Sequence, residues 1–198
     1  MKTGSGINVG SVATTGALVI VDVQNDFLPG GRLAVPRGDE VVPVLNRYVA
    51  AFVQEHLPIF ATRDWHPPDH CSFKAQGGPW PAHCVMQTEG AAFSSSLRLP
   101  SATAIISKGT EPQREAYSGF EGTDLEARLH LDSIGCLYVG GLATDYCVLN
   151  TVKDGLRKGF KVVLLRDAIR AVNILPSDGA SAEEEMLRLG AVEFELPV

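Results

Sequence analysis

The sequence predicts an α/β fold built on a mostly parallel sheet with helices on both faces. Three observations predict it. Short apolar runs alternate with helical patterns along the chain. The runs are apolar at consecutive positions, not at every second one. No internal repeat or low-complexity tract breaks the alternation. Strands that are apolar on both sides belong in a sheet covered twice over. A chain of 198 residues, 45% hydrophobic and 20% charged, suits one ordinary globular domain.

The elements follow in order. Leu18-Val19-Ile20-Val21 is the first strand and ends in Asp22. From about Glu40 to His56, apolar residues at Val41, Val44, Leu45, Tyr48 and Phe52 keep a helical period, and Pro58 stops it. Ile59 to Thr62 is the second strand, ending near Asp64. Ala104 to Ser107 is the third, ending at Lys108. A helix over Leu125–Leu131 precedes the fourth strand, Cys136 to Val139, which closes in Gly140-Gly141. The helix from about Thr144 to Lys158 ends at Gly159. Val162 to Leu165, a helix from Glu183 to Leu189, and Val192 to Phe194 complete the set.

The formal net charge of -6 argues against a nucleic-acid surface, which needs clustered Lys and Arg. No segment is long enough to span a membrane, since Asp22 interrupts the most apolar early stretch. Met1 to Thr15 is rich in Gly, Ser and Thr, with Lys2 as its one basic residue; it reads as a loose extension, residues 1–15, ahead of one domain over 16–198. A cytoplasmic setting follows, and Cys71, Cys84, Cys136 and Cys147 are expected to stay reduced.

In parallel sheets ligands bind at the carboxyl ends of the strands. Asp22, Asp64, Lys108 and the segment from Gly140 all lie just past such an end, so they should gather on one edge. The stretch from Trp65 to Ser101 lacks strong periodicity. It holds His66, His70 and His83, with His56 just upstream. A loop of that length is functional, disordered, or hides short elements.

Cys147 falls in the first turn after Gly140-Gly141, with Thr144 as the expected N-cap. Unpaired N–H groups and the helix dipole there favour a thiolate and can receive an oxyanion. Alone, Cys147 reads equally as a small buried residue. Asp22 can act as base for the thiol and then as acid for a leaving amine. Lys108 can place a positive charge beside the sulfur and lower its pKa. Asp64-Trp65-His66, with His70 and His83, offers a carboxylate and two or three imidazoles for Zn²⁺, Fe²⁺ or Mn²⁺. The rival is a closed structural zinc site on the pairs His70-Cys71 and His83-Cys84. Phe27, Trp80 and Tyr117 are flat side chains that could sandwich a ring, or serve as ordinary anchors.

Taken together these residues resemble the nicotinamidases, within the isochorismatase-like cysteine hydrolases. The resemblance rests on Asp22-Val-Gln-Asn-Asp-Phe27, Gly30-Gly31, Asp64-Trp-His66-Pro-Pro-Asp-His70 and Trp80-Pro-Ala-His-Cys84. It continues through Lys108-Gly109, Tyr117-Ser-Gly-Phe120 and Gly141-Leu-Ala-Thr-Asp-Tyr-Cys147, from about Ala17 to the end. It implies a Rossmann-like three-layer α/β/α sandwich with six strands. It implies a triad of Asp22, Lys108 and Cys147 and a divalent metal, zinc foremost, on Asp64, His66 and His83. His70 is a fourth ligand in some members. Further implications are an oxyanion hole from the N–H groups of Ala143 and Cys147, a cis Leu142–Ala143 peptide, and a nicotinamide pocket lined by Phe27, Trp80 and Tyr117. The stretch Gly109 to Ala116 departs from the family pattern. A homo-oligomer acting on a small molecule is expected. The alternatives are a related amidase for carbamoyl or ureido substrates and a non-catalytic α/β module with structural zinc.

Overall fold

The structure, a computed structural model, describes residues 15–195. Six parallel strands form one sheet in the order β3-β2-β1-β4-β5-β6. In chain order the elements are β1 (Gly16–Val21), α1 (Val41–Gln54), β2 (Ile59–Asp64), β3 (Ala104–Lys108) and α2 (Leu125–Leu131). Then come β4 (Cys136–Leu142), α3 (Leu149–Arg157), β5 (Lys161–Arg170), α4 (Asp178–Arg188) and β6 (Val192–Phe194). All six expected strands and four expected helices are present, and the sheet is parallel throughout. The expected extension falls almost wholly on residues 1–14, outside the described part. Thr15 itself accepts N–H bonds from Gly135 and Cys136 at the start of β4. No helix among the described residues is long and apolar enough to cross a membrane.

The pleat of β1 explains the three layers. Leu18 and Ile20 point to one face, where α1 packs with Leu45, Tyr48 and Phe52. Ala17, Val19 and Val21 point to the other, against Leu125 and Leu129 of α2, Val152 of α3 and Met186 of α4. Each fully buried Val, Leu, Ile, Phe or Met side chain among them contributes roughly 1.5–3 kcal/mol of transfer free energy. The chain leaves β1 toward β2 on one side and leaves β4 toward β5 on the other. The strand order therefore reverses between β1 and β4, and a crevice opens past their carboxyl ends.

Three local details differ from the sequence reading. The segment after β4 begins with a wide π-type turn, Thr144–Val148, before α3. Ala143 caps it, not Thr144, and no side-chain cap bond forms. α4 starts at Asp178, ahead of the expected Glu183. β5 runs on to Arg170, because its register to β4 shifts: Val139 faces Leu164 while Gly141 faces Ile169. The long segment after β2 does hide short elements, the 3-10 turns Lys74–Gln76 and Glu89–Ala91 and the bridge of His66 to Val85. It lends Cys84, Ala91 and Leu97 to the core on the α1 face.

Candidate active site

Four strand ends bring the expected residues together. Asp22 follows β1 in the left-handed region, φ 51°, which Asp tolerates better than most residues and which turns its side chain away from the strand's course. Asp64 and Lys108 end β2 and β3 and are direct partners in the parallel register. Cys147 lies in the turn after β4. Gly141, φ 129°, lets β4 pass β1 so closely that a Cβ would lie 2.1 Å from the Val21 carbonyl oxygen. The Leu142–Ala143 peptide is cis, as expected.

Lys108 is the hub. Its Nζ bonds Asp64 Oδ1, lies 2.9 Å from Asp22 Oδ2 and 3.4 Å from Cys147 Sγ, and donates to the Ala116 carbonyl at 3.2 Å. All three acidic partners are buried. Burial pulls the ammonium down, but Asp22, Asp64 and Cys147 outweigh it and hold Lys108 well above the ordinary lysine range. Burial likewise works against the Asp64 carboxylate, yet Lys108 and the facing imidazoles keep it well below the usual range. Asp22 goes the other way: burial raises it more than Lys108 lowers it.

The thiol departs from expectation. Lys108 does draw the Cys147 pKa down, but burial and the two carboxylates push it well above the ordinary cysteine value. The raised value favours a neutral thiol at rest, because burial in the first place, and then the two carboxylates, outweigh the one cationic neighbour.

On the far side of Asp64 stand two imidazoles. His66 Nδ1 donates to the Gly109 carbonyl at 2.9 Å, and His83 Nδ1 donates to the Pro81 carbonyl at 2.8 Å. Both tautomers leave Nε2 with a lone pair, and both Nε2 atoms face Asp64 Oδ2, at 3.5 and 4.0 Å. One donor atom from each of the three residues lies within 4.8 Å of the others. A buried carboxylate with two Nε2 donors suits a divalent first-row metal with positions to spare. His70 stacks on His66 at 4.1 Å, but its ring is committed: Nε2 donates to the Arg114 carbonyl at 3.0 Å and Nδ1 accepts from Ser72. Cys71 and Cys84 join no ligand cluster among the described residues, and all four cysteines are free.

Asp64, His83 and Cys147 open into a cleft of about 390 Å³, part of it solvent. Phe27, Trp80 and Tyr117 line it, with Asp64, His83, Ala143 and Cys147. Trp80 Nε1 donates to the Tyr117 hydroxyl at 3.0 Å. Sequence reasoning missed Tyr146, Leu33, Val35 and Val172, which complete the lining. Tyr146 sits edge-on to Trp80 at 5.1 Å, and its place directly before Cys147 was a usable signal. Also missed were supporting residues. Gln24, fully buried, accepts from the Asp64 N–H at 2.8 Å and donates to the Asp64 carbonyl at 2.7 Å. Asp26 accepts the Cys84 N–H at 2.7 Å, and Thr62 donates to Asp22.

Residues 16–191 match the isochorismatase domain. The chain belongs to the isochorismatase family. Within that family it is 40% identical to the nicotinamidase of Escherichia coli, over 91% of this chain and 94% of that protein. It is 38% identical to the nicotinamidase/pyrazinamidase of Mycobacterium tuberculosis, over 90% and 97%. A solved relative, the pyrazinamidase of Pyrococcus horikoshii in complex with zinc, superposes with a TM-score of 0.88 at 49% identity. The match covers 91% of this chain and 99% of that one.

Proposed function

We propose that this isochorismatase-family chain is a nicotinamidase, hydrolysing the linear amide of nicotinamide to nicotinate and ammonia through a thioester on Cys147. The observation that carries the reading is the one cleft lined by Cys147, Asp64 and His83, whose buried neighbours Asp22, Lys108 and His66 complete a proton-carrying group and a metal-ligand cluster side by side. The relatives named for this activity support it.

Asp22 takes the Cys147 proton as the sulfur attacks the carboxamide carbon, which suits a thiol that is neutral at rest. The backbone N–H groups of Ala143 and Cys147 receive the developing oxyanion. Asp22 returns the proton to the departing ammonia. A water, deprotonated by Asp22, then cleaves the thioester and restores the thiol. Lys108 keeps Asp22 and Cys147 in register and offsets charge among them. Phe27, Trp80 and Tyr117 hold the ring flat and exclude water. A divalent metal on Asp64, His66 and His83, zinc foremost, with iron and manganese suited too, supplies a Lewis-acid anchor that orients the pyridine ring.

The test is ammonia release from nicotinamide by the metal-replete protein, repeated with Cys147→Ala and with a chelator. Loss in both controls supports thiol chemistry and metal dependence together. An inactive wild type overturns the reading, and turnover of a carbamoyl substrate in its place would move the chain to the related amidases.

A further inference from the structure

Asp22 is tied twice to one residue. Its N–H donates to the Thr62 carbonyl at 3.2 Å, and its Oδ1 accepts the Thr62 hydroxyl at 2.6 Å. Both residues are fully buried. The other oxygen, Oδ2, is paired with the Lys108 ammonium at 2.9 Å. A carboxylate oxygen of Asp22 lies within 4.8 Å of Cys147 Sγ. The last torsion of Asp is soft, so the carboxyl group by itself does not fix the angle of its plane, and with it how squarely an oxygen faces the thiol. The Thr62 hydroxyl does.

We propose that Thr62 is a positioning residue for the hydrolysis, pinning Asp22 Oδ1 so that Oδ2 is presented to Cys147 and Lys108. The proposal rests on the reading of Asp22 as the proton carrier for Cys147. The proton moves from Sγ to Oδ2 as the S–C bond forms. It moves from Oδ2 to the amine nitrogen as the C–N bond breaks. The Thr62 proton stays on Oγ1 throughout.

Shape and hydroxyl can be separated. The Thr62 Cγ2 methyl packs toward Gly119, where a Cβ would lie 2.8 Å away. Thr62→Val keeps that shape and deletes the hydroxyl; Thr62→Ser keeps the hydroxyl and deletes the methyl. Both are compared with wild type as metal-loaded full chains. The readouts are steady-state kinetics on nicotinamide, the rate of Cys147 alkylation by iodoacetamide, and the thermal midpoint. Thr62→Val is expected to lose about 10- to 100-fold in kcat, with KM changed less than about twofold, and to alkylate more slowly. Thr62→Ser is expected to hold kcat and alkylation rate within about threefold, even where its midpoint falls. Parallel losses in both variants that follow the midpoint overturn the proposal, as does a Thr62→Val enzyme with wild-type kcat and alkylation. Should Thr62→Val not fold, the serine variant decides: slow alkylation there overturns positioning. A wild type that releases no ammonia sinks the nicotinamidase reading alone, and the alkylation rates still decide on Thr62.

Discussion

Lys108 Nζ lies 3.4 Å from Cys147 Sγ, and the contact does not make a thiolate. Burial of the sulfur, joined by the two carboxylates that share the ammonium, outweighs the pull of Lys108. A raised thiol pKa means the neutral form dominates below it. In chelator-treated protein without substrate, Cys147 alkylation should climb through the alkaline range with no plateau near neutral pH. Iodoacetamide incorporation at Cys147 against pH measures this. A neutral-pH plateau would reveal a resting thiolate and leave Asp22 without a proton to take.

Removing the hub should cost folding stability as well as activity. Lys108→Met leaves Asp22 and Asp64 buried with no shared cation. Loss of one partner from a buried charge group costs about 3–5 kcal/mol. Urea unfolding of the chelator-treated variant should show a loss of that order. A midpoint equal to wild type would mean the two carboxylates are not charged together.

Gly109 guards His66. It sits at φ +60°, and a Cβ there would lie 2.5 Å from the imidazole Cε1. Gly109→Ala should displace the ring and break its bond to the residue 109 carbonyl. Disturbing such an orienting bond typically weakens metal binding by about 10- to 100-fold. Metal content after dialysis is the measurement, with Cys147 alkylation as control. Full retention of metal would show that the ring is not held through residue 109.

Tyr117 offers a pH signature. Burial, in the main, pushes its hydroxyl up to about 12. The unfolded chain releases that proton near 10. The neutral hydroxyl is therefore no liability below about pH 10, and stability is lost as pH rises from there toward about 12. Absorbance titration of wild type against Tyr117→Phe should remove one phenol ionising in that upper range. If the missing phenol titrates near 10 instead, the hydroxyl is not held half-buried beside Trp80 as the structure has it.

The alternation of apolar runs with helical periods was enough to find every strand and helix, because local spacing alone sets those patterns. The rule that parallel sheets bind ligands at their carboxyl ends was enough to gather Asp22, Asp64, Lys108 and Cys147. The motifs named Phe27, Trp80, Tyr117, His66 and His83 as well. Three things were not legible. The Thr62 bond to Asp22 and the Gln24 clamp on Asp64 join residues 40 apart, and nothing local in either segment marks them. The commitment of His70 depends on where the Arg114 carbonyl falls, in a loop without periodicity. The protonation of Cys147 depends on how many anions share one ammonium at what depth. Sequence by itself determined which residues meet, since chain order and strand ends dictate that. Tertiary structure alone decided which proton each holds, because burial and distance, not residue type, set the energy of a charge.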